Sequence, residues 1–192
     1  MDHALNAFLA ELYAAGQAYD NRQPDRFRRL RNLEPASATL LAFVVRLSNS
    51  RSIVEIGTSN GYSTIWLADA ARDTGGHVVS VDIQDRPDAA ANLERTGLAP
   101  MVRLHRAEGG GYLAGLPDDY VDLLFLDAER TDYASWWPHP RRVLRTGGIL
   151  AVDDVLSHPD EVREFLDLVV RGGWFIGTTV PVGKGLFLAQ RR

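Results

Sequence analysis

Residues 51–64 read RSIVEIGTSNGYST, and this stretch decides the fold. Ile53, Val54 and Ile56 make a short, β-branched apolar run, the mark of a strand buried on both faces. At Gly57 the run stops. Thr58, Ser59, Asn60 and Gly61 are small or polar, and helix-type spacing follows over 61–72. Such residues let the backbone turn tightly and a ligand come close, while the free N–H groups and positive dipole of a helix start favour an anionic group such as a carboxylate. The spacing is G-x-x-x-G behind the acidic Glu55. It is neither the G-x-G-x-x-G of a dinucleotide fold nor the G-K-[ST] of a P-loop, so NAD(P) and ATP are disfavoured.

Downstream the same alternation repeats. HVVSVDI (77–83), MVRLH (101–105), YVDLLFLD (120–127) and GILAVDD (148–154) read as strands, and 87–96, 109–115 and 132–144 as helices between them. Strand, helix, strand in succession implies right-handed crossovers and a parallel sheet covered on both sides. GWFIGTTV (173–180) and KGLFLAQ (184–190) flank Pro181-Val182-Gly183 and predict a closing hairpin. The second strand ends in Val81-Asp82-Ile83, where folds of this kind set a carboxylate against ribose hydroxyls.

Upstream, Leu5, Phe8, Leu9, Leu12 and Tyr13 recur at helical spacing and predict an amphipathic helix ending near Gly16. Pro35 opens a second helix through Leu47. Between them runs NRQPDRFRRLRN (21–32), with five arginines. No aromatic residues alternate with those charges, which favours a solvated face or ion pairs over a nucleic-acid surface.

The whole chain has 192 residues, a size that suits one domain: a helical cap over 1–50 and a sheet core over 51–192. It has no Cys, which excludes disulfides, thiolate metal sites and thiol nucleophiles. The five histidines share no metal-ligand spacing, and no G-x-S-x-G elbow marks a hydrolase. With 21 basic and 25 acidic residues the formal charge is −4, so no net basic field draws the chain to nucleic acid or anionic lipid. No apolar stretch approaches the ~20 residues of a membrane span, and MDHALNAFLAELYAAG lacks a basic n-region. A cytoplasmic protein with no membrane partner is expected.

Taken together, VEIGTSNGYST (54–64), VVSVD (78–82), VDLLFLDAERTDY (121–133) and LRTGGILAVDDVL (144–156) resemble the class I S-adenosylmethionine-dependent methyltransferases. More narrowly, the chain is similar to the small cation-dependent O-methyltransferases that include the catechol and caffeoyl-CoA enzymes and their bacterial relatives. The resemblance runs in order from about residue 30 to about residue 190. It implies a Rossmann-like, doubly wound α/β fold: a seven-stranded sheet, mostly parallel with an antiparallel last strand, and helices on both faces. It also implies S-adenosylmethionine as cofactor and a small, aromatic or catechol-like hydroxyl acceptor. Some bacterial relatives modify tRNA, which would give the arginines of 21–32 a role.

Cofactor contacts carried over from the family fall on Glu55, Gly57, Gly61 and Ser63 for the methionine portion and on Asp82 and Ile83 for the ribose end. Glu108 falls near the adenine amine, Leu33 gives a covering contact, and Asp127 ends the fourth strand. Asp82 stands where family members usually have Glu. Glu108 also reads as a plain helix cap.

Asp127, Asp153 and Asp154 end neighbouring strands on the edge where open α/β sheets bind ligands. Three carboxylates gathered there repel one another unless a positive group joins them, and Mg²⁺ or another hard divalent cation suits oxygen ligands. Ser157 is the expected N-cap of the next helix, which frees both aspartates from that task. Two departures from the family pattern stand out. Asp154 replaces Asn, and Arg130 replaces the lysine thought to deprotonate the acceptor. An arginine stays protonated, so Arg130 would steady an oxyanion, or else pair with Glu129 or Asp132 at the surface. The short N-terminal portion suggests a cleft completed by a second subunit, a homodimer formed through the first helix.

Overall fold

The computed structural model describes residues 2–192. The chain opens with helix α1 (His3–Asp20) and α2 (Pro35–Leu47). Strand β1 (Ser52–Ile56), α3 (Tyr62–Thr74), β2 (His77–Asp82), α4 (Pro87–Arg95) and β3 (Val102–Arg106) follow. Then come α5 (Gly109–Gly115), β4 (Val121–Leu126), α6 (His139–Val143), β5 (Leu144–Val152), α7 (Pro159–Arg171), β6 (Phe175–Val180) and β7 (Leu186–Arg191).

The seven strands lie in the order β3-β2-β1-β4-β5-β7-β6. β1 to β5 pair in parallel, and β7 runs antiparallel to both β5 and β6. Successive residues serve opposite faces. Leu123 and Phe125 point to a core with α1, α2 and α3, whereas Leu124 and Leu126 point to one with α5, α6 and α7. That alternation explains why these strands are apolar at nearly every position. The sheet therefore carries helices on both faces, as expected.

Two helices depart from the sequence reading. α1 continues past Gly16 to Asp20, because Gly16 is not a stop: a Cβ there would strike the Asn32 amide. The expected helix over 132–144 is a 3₁₀ turn, Arg130–Trp136, followed by the short α6. Pro138 and Pro140 lack the N–H donors that one continuous helix needs.

No helix among the described residues is long and apolar enough to cross a membrane.

Candidate functional site

The register brings the carboxyl ends of five strands side by side. Ile56 pairs with Val81 and Leu126, Leu126 with Val152, and Asp82 with Arg106. The order of connection reverses between β1 and β4, the switch point where such sheets open a crevice. A cavity of about 260 Å³ lies there, and a second cleft of about 670 Å³ adjoins it.

The floor of the first cavity is the glycine loop. Gly57 has φ +115° and Gly61 φ +83°, left-handed conformations that a side chain would strain. Gly57 donates its N–H to Val81 O at 2.8 Å, which ties the loop to β2. Gly61 caps α3, so the positive end of that helix opens on the cavity.

Beneath the floor lies Glu55. It was expected to touch the ligand, yet it is fully buried and outside the cavity lining. Its carboxylate accepts from Ser63 Oγ at 2.6 Å, Thr64 Oγ1 at 2.5 Å and Ser80 Oγ at 2.5 Å. Burial pushes its pKa up to about 7 against the downward pull of those three hydroxyls. Of the two, only Ser63 faces the cavity, so Glu55 sets the rotamer of Ser63 and does not meet a ligand itself.

On one side the cavity is lined by Asp82, Ile83, Glu108, Gly109 and Trp136. Asp82 Oδ2 accepts from Ser59 N at 3.0 Å and Oδ1 from Gln84 N at 3.0 Å, while Arg86 Nε sits 2.9 Å from Oδ2. Each carboxylate oxygen keeps a lone pair for a diol. Glu108 is the N-cap of α5, accepting from Gly110 N at 2.8 Å and Gly111 N at 2.6 Å. Burial alone would raise its pKa, but these two N–H groups outweigh that and lower it. The capping reading is the one realised, and Glu108 reaches the cavity from that position. Gly109 and Gly110 allow Trp136 to press against α5: a Cβ on Gly109 would lie 2.8 Å from its ring. Trp136 as a cavity wall was not singled out from sequence, because it is supplied by the unforeseen 3₁₀ turn.

The roof is the arginine-bearing segment. Asp20 accepts from Leu30 N at 2.7 Å and Arg31 N at 2.9 Å, and Ser59 Oγ donates to Leu30 O at 2.8 Å. These bonds set Leu33 and the Asn32 amide over both cavities; Leu33 is buried and Asn32 lines the two. Arg26 and Arg31 approach Glu129 at 3.5 and 4.0 Å.

The three aspartates are near enough to influence one another, but they do not form one ligand set. Asp127 lines the first cavity; burial, then Asp153 and Asp154, raise its pKa. Asp153 is buried and lines neither cavity. Asp154 meets Arg130 Nη1 at 3.0 Å through Oδ2, and Lys184 Nζ at 3.7 Å through Oδ1. Among the described residues no group of three or more Asp, Glu or His could hold a metal ion. The cation expected at Asp127, Asp153 and Asp154 thus finds no matching cage, because fixed positive side chains already answer Asp154.

Arg130 is correspondingly no surface residue. It is 4% exposed and bonds Glu161 Oε2 through Nε at 2.8 Å as well as Asp154. Burial on its own would lower its pKa, yet Asp154 and Glu161 more than offset that, and it stands above its ordinary value. Ser157 does not cap α7 either. Its hydroxyl donates to Asp154 O at 3.1 Å, and His158 takes the cap position.

An open sheet with a glycine loop, a strand-end carboxylate and a ligand cavity at its switch point defines a class of cofactor-binding α/β enzymes. Residues 54–155 match the methyltransferase domain family, and the chain belongs to that family. A protein of Mycobacteroides abscessus provisionally named an O-methyltransferase is 30% identical over 172 residues, covering 82% of this chain and 80% of that one. The O-methyltransferase TomG of Streptomyces achromogenes, solved with S-adenosylmethionine, superposes with a TM-score of 0.78 at 27% identity, covering 100% of this chain and 90% of that one. Cofactor-bound Rv0187 from MTB gives 0.81 at 26%, covering 97% and 90%. The resemblance read from the sequence is borne out.

Proposed function

We propose that this protein transfers the methyl group of S-adenosylmethionine to a hydroxyl of a small acceptor, aromatic or catechol-like. The observation that carries this is the shared wall of the two cavities. Arg29, Arg31, Asn32, Arg130 and Asp154 line both, so a group in the first meets a group in the second. Related structures solved with S-adenosylmethionine, such as TomG, support the choice of cofactor.

In this reading the methionine carboxylate lies at the start of α3 near Gly61 and Ser63, the ribose diol on Asp82, and the adenine between Ile83 and Trp136. The sulfonium methyl then points toward Asp154 and Asn32. An acceptor oxygen lone pair forms the O–CH₃ bond as the S–CH₃ bond breaks. The bonding pair returns to sulfur, giving S-adenosylhomocysteine, and the hydroxyl proton leaves to solvent. Holding oxygen and methyl in line at near-attack distance supplies most of the acceleration. Arg130 and Lys184 stabilise the developing phenolate.

A small molecule is favoured over tRNA because the basic segment is committed to internal contacts. Arg22 Nε donates to Ala18 O, Arg29 Nε donates to Gln23 O, and Arg26, Arg28 and Arg31 lie against Glu129, Asp25 and Glu129. Dimerisation through α1 is also proposed, and light scattering that gives a monomer refutes it. For the activity itself, the test is mass-spectrometric detection of methylated product from a panel of catechols and phenols with S-adenosylmethionine. A salt-sensitive shift of tRNA with no small-molecule product would replace this reading with the tRNA one.

A further inference from the structure

Two positions at which the sequence departs from the cation-dependent pattern, Arg130 and Asp154, are bonded to each other. Arg130 Nη1 lies 3.0 Å from Asp154 Oδ2, with the two residues 4% and 8% exposed in their side chains. The other edge of the guanidinium is held by Glu161 Oε2 at 2.8 Å, in the first turn of α7. Lys184 Nζ stands 3.7 Å from the remaining Asp154 oxygen. Asp154 itself adopts φ +63°, a left-handed conformation rare outside glycine, which turns its carboxylate toward these partners.

We propose that the Arg130 guanidinium takes the place of a divalent cation at the acceptor end of the site, so that this chain works without a metal. An arginine does not titrate near neutrality, and a planar fork locked on two carboxylates holds its charge at a fixed point. A hard divalent ion brought to Asp154 would face that buried guanidinium and the Lys184 ammonium, and would have to displace both to gain the oxygen ligands it requires. Asp153, buried away from both cavities, supplies no ligand toward the acceptor side. The two departures are therefore one exchange. Lysine to arginine removes a group that can give up its proton, and asparagine to aspartate adds the charge that fixes the arginine in place.

What Arg130 does for the reaction rests on the methyl-transfer reading; the exclusion of the ion does not. In that reading the guanidinium is the positive charge beside the acceptor oxygen as it loses its proton and attacks the methyl carbon. It orients and stabilises the oxyanion but cannot accept the proton, which passes to solvent.

The test is a calorimetric titration of the full chain with MnCl₂, with Mn²⁺ paramagnetic resonance as a second readout, for wild type and the double variant Arg130→Lys with Asp154→Asn. S-adenosylhomocysteine binding serves as the folding control. Wild type is expected to show no saturable Mn²⁺ site at micromolar concentrations and turnover indifferent to EDTA. The double variant, which restores the residue types of the cation-dependent pattern, is expected to bind Mn²⁺ at least ~10-fold more tightly than wild type. A stoichiometric micromolar site in wild type overturns the proposal. So does a folded double variant that gains no Mn²⁺ affinity. Loss of S-adenosylhomocysteine binding in every protein would count against the methyl-transfer reading instead, and the Mn²⁺ titration would still decide the metal.

Discussion

A Cβ placed on Gly57 would lie 2.6 Å from the carbonyl carbon of Asp127, so the ends of β1 and β4 meet with no room for a side chain. The contact follows from register: Asp127 N donates to Ile56 O at 2.9 Å and draws the two strand ends together at the mouth of the cavity. Gly57→Ala must push Asp127 aside and also strain a φ of +115°. We expect a loss of about 3 kcal/mol in chemical denaturation, with S-adenosylhomocysteine affinity falling at least ~10-fold.

Asp82 offers two oxygens to a diol, and Asn offers one acceptor and no charge. Asp82→Asn should weaken S-adenosylmethionine binding ~10- to 100-fold, the worth of one or two charge-assisted hydrogen bonds. Titration calorimetry reads this directly. An unchanged affinity would remove Asp82 from the ligand contacts.

Asp20 holds the roof by the amides of Leu30 and Arg31. Without that carboxylate the segment loses its tie to the end of α1 and is free to lift from the cavity. Asp20→Ala should raise the KM for S-adenosylmethionine several-fold, with kcat nearly constant and the melting temperature little changed, because the affected backbone is half-exposed. Asp20→Asn, which keeps one acceptor, should recover part of the loss. Equal falls in kcat and thermal stability would mean that Asp20 supports the fold and not the roof.

Glu55 sets a pH dependence of stability. Its carboxyl titrates at about 7 in the folded protein against 4.5 for the unperturbed group. Between those values the folded chain holds a proton that the unfolded chain has lost, so stability from this group falls as pH rises through that window. The full effect is on the order of 3 kcal/mol, present below pH 4.5 and gone above about 7. Glu55→Gln should flatten that part of the curve in urea melts taken from pH 4.5 to 8. A variant that keeps the wild-type slope would assign the titration elsewhere.

Much of the sheet is legible in sequence because its signals are local. β1, β2 and β4 are unbroken apolar runs, Gly57 and Gly61 mark the turn, and Asp82, Asp127 and Asp153 each end a strand. Their assembly at one edge follows from parallel connectivity alone. What sequence could not show depends on contacts between distant residues. Gly16 reads as a helix stop until the Asn32 amide is seen against it, and Arg130 reads as a surface residue until Asp154 and Glu161 close around it. Glu55 looks like a ligand contact by position, but three hydroxyls from α3 and β2 claim its oxygens. The two prolines at 138 and 140 were a usable local signal, and they account for the broken helix that brings Trp136 to the cavity.

The central claim is that the cavity at the ends of β1 and β2 takes S-adenosylmethionine. Calorimetric titration of the wild-type chain with S-adenosylhomocysteine tests it most directly, with Asp82→Asn and Gly57→Ala beside it. The account predicts one saturable site per chain in wild type, weakened in both variants. Absence of binding in wild type, or binding that neither substitution weakens, would contradict it.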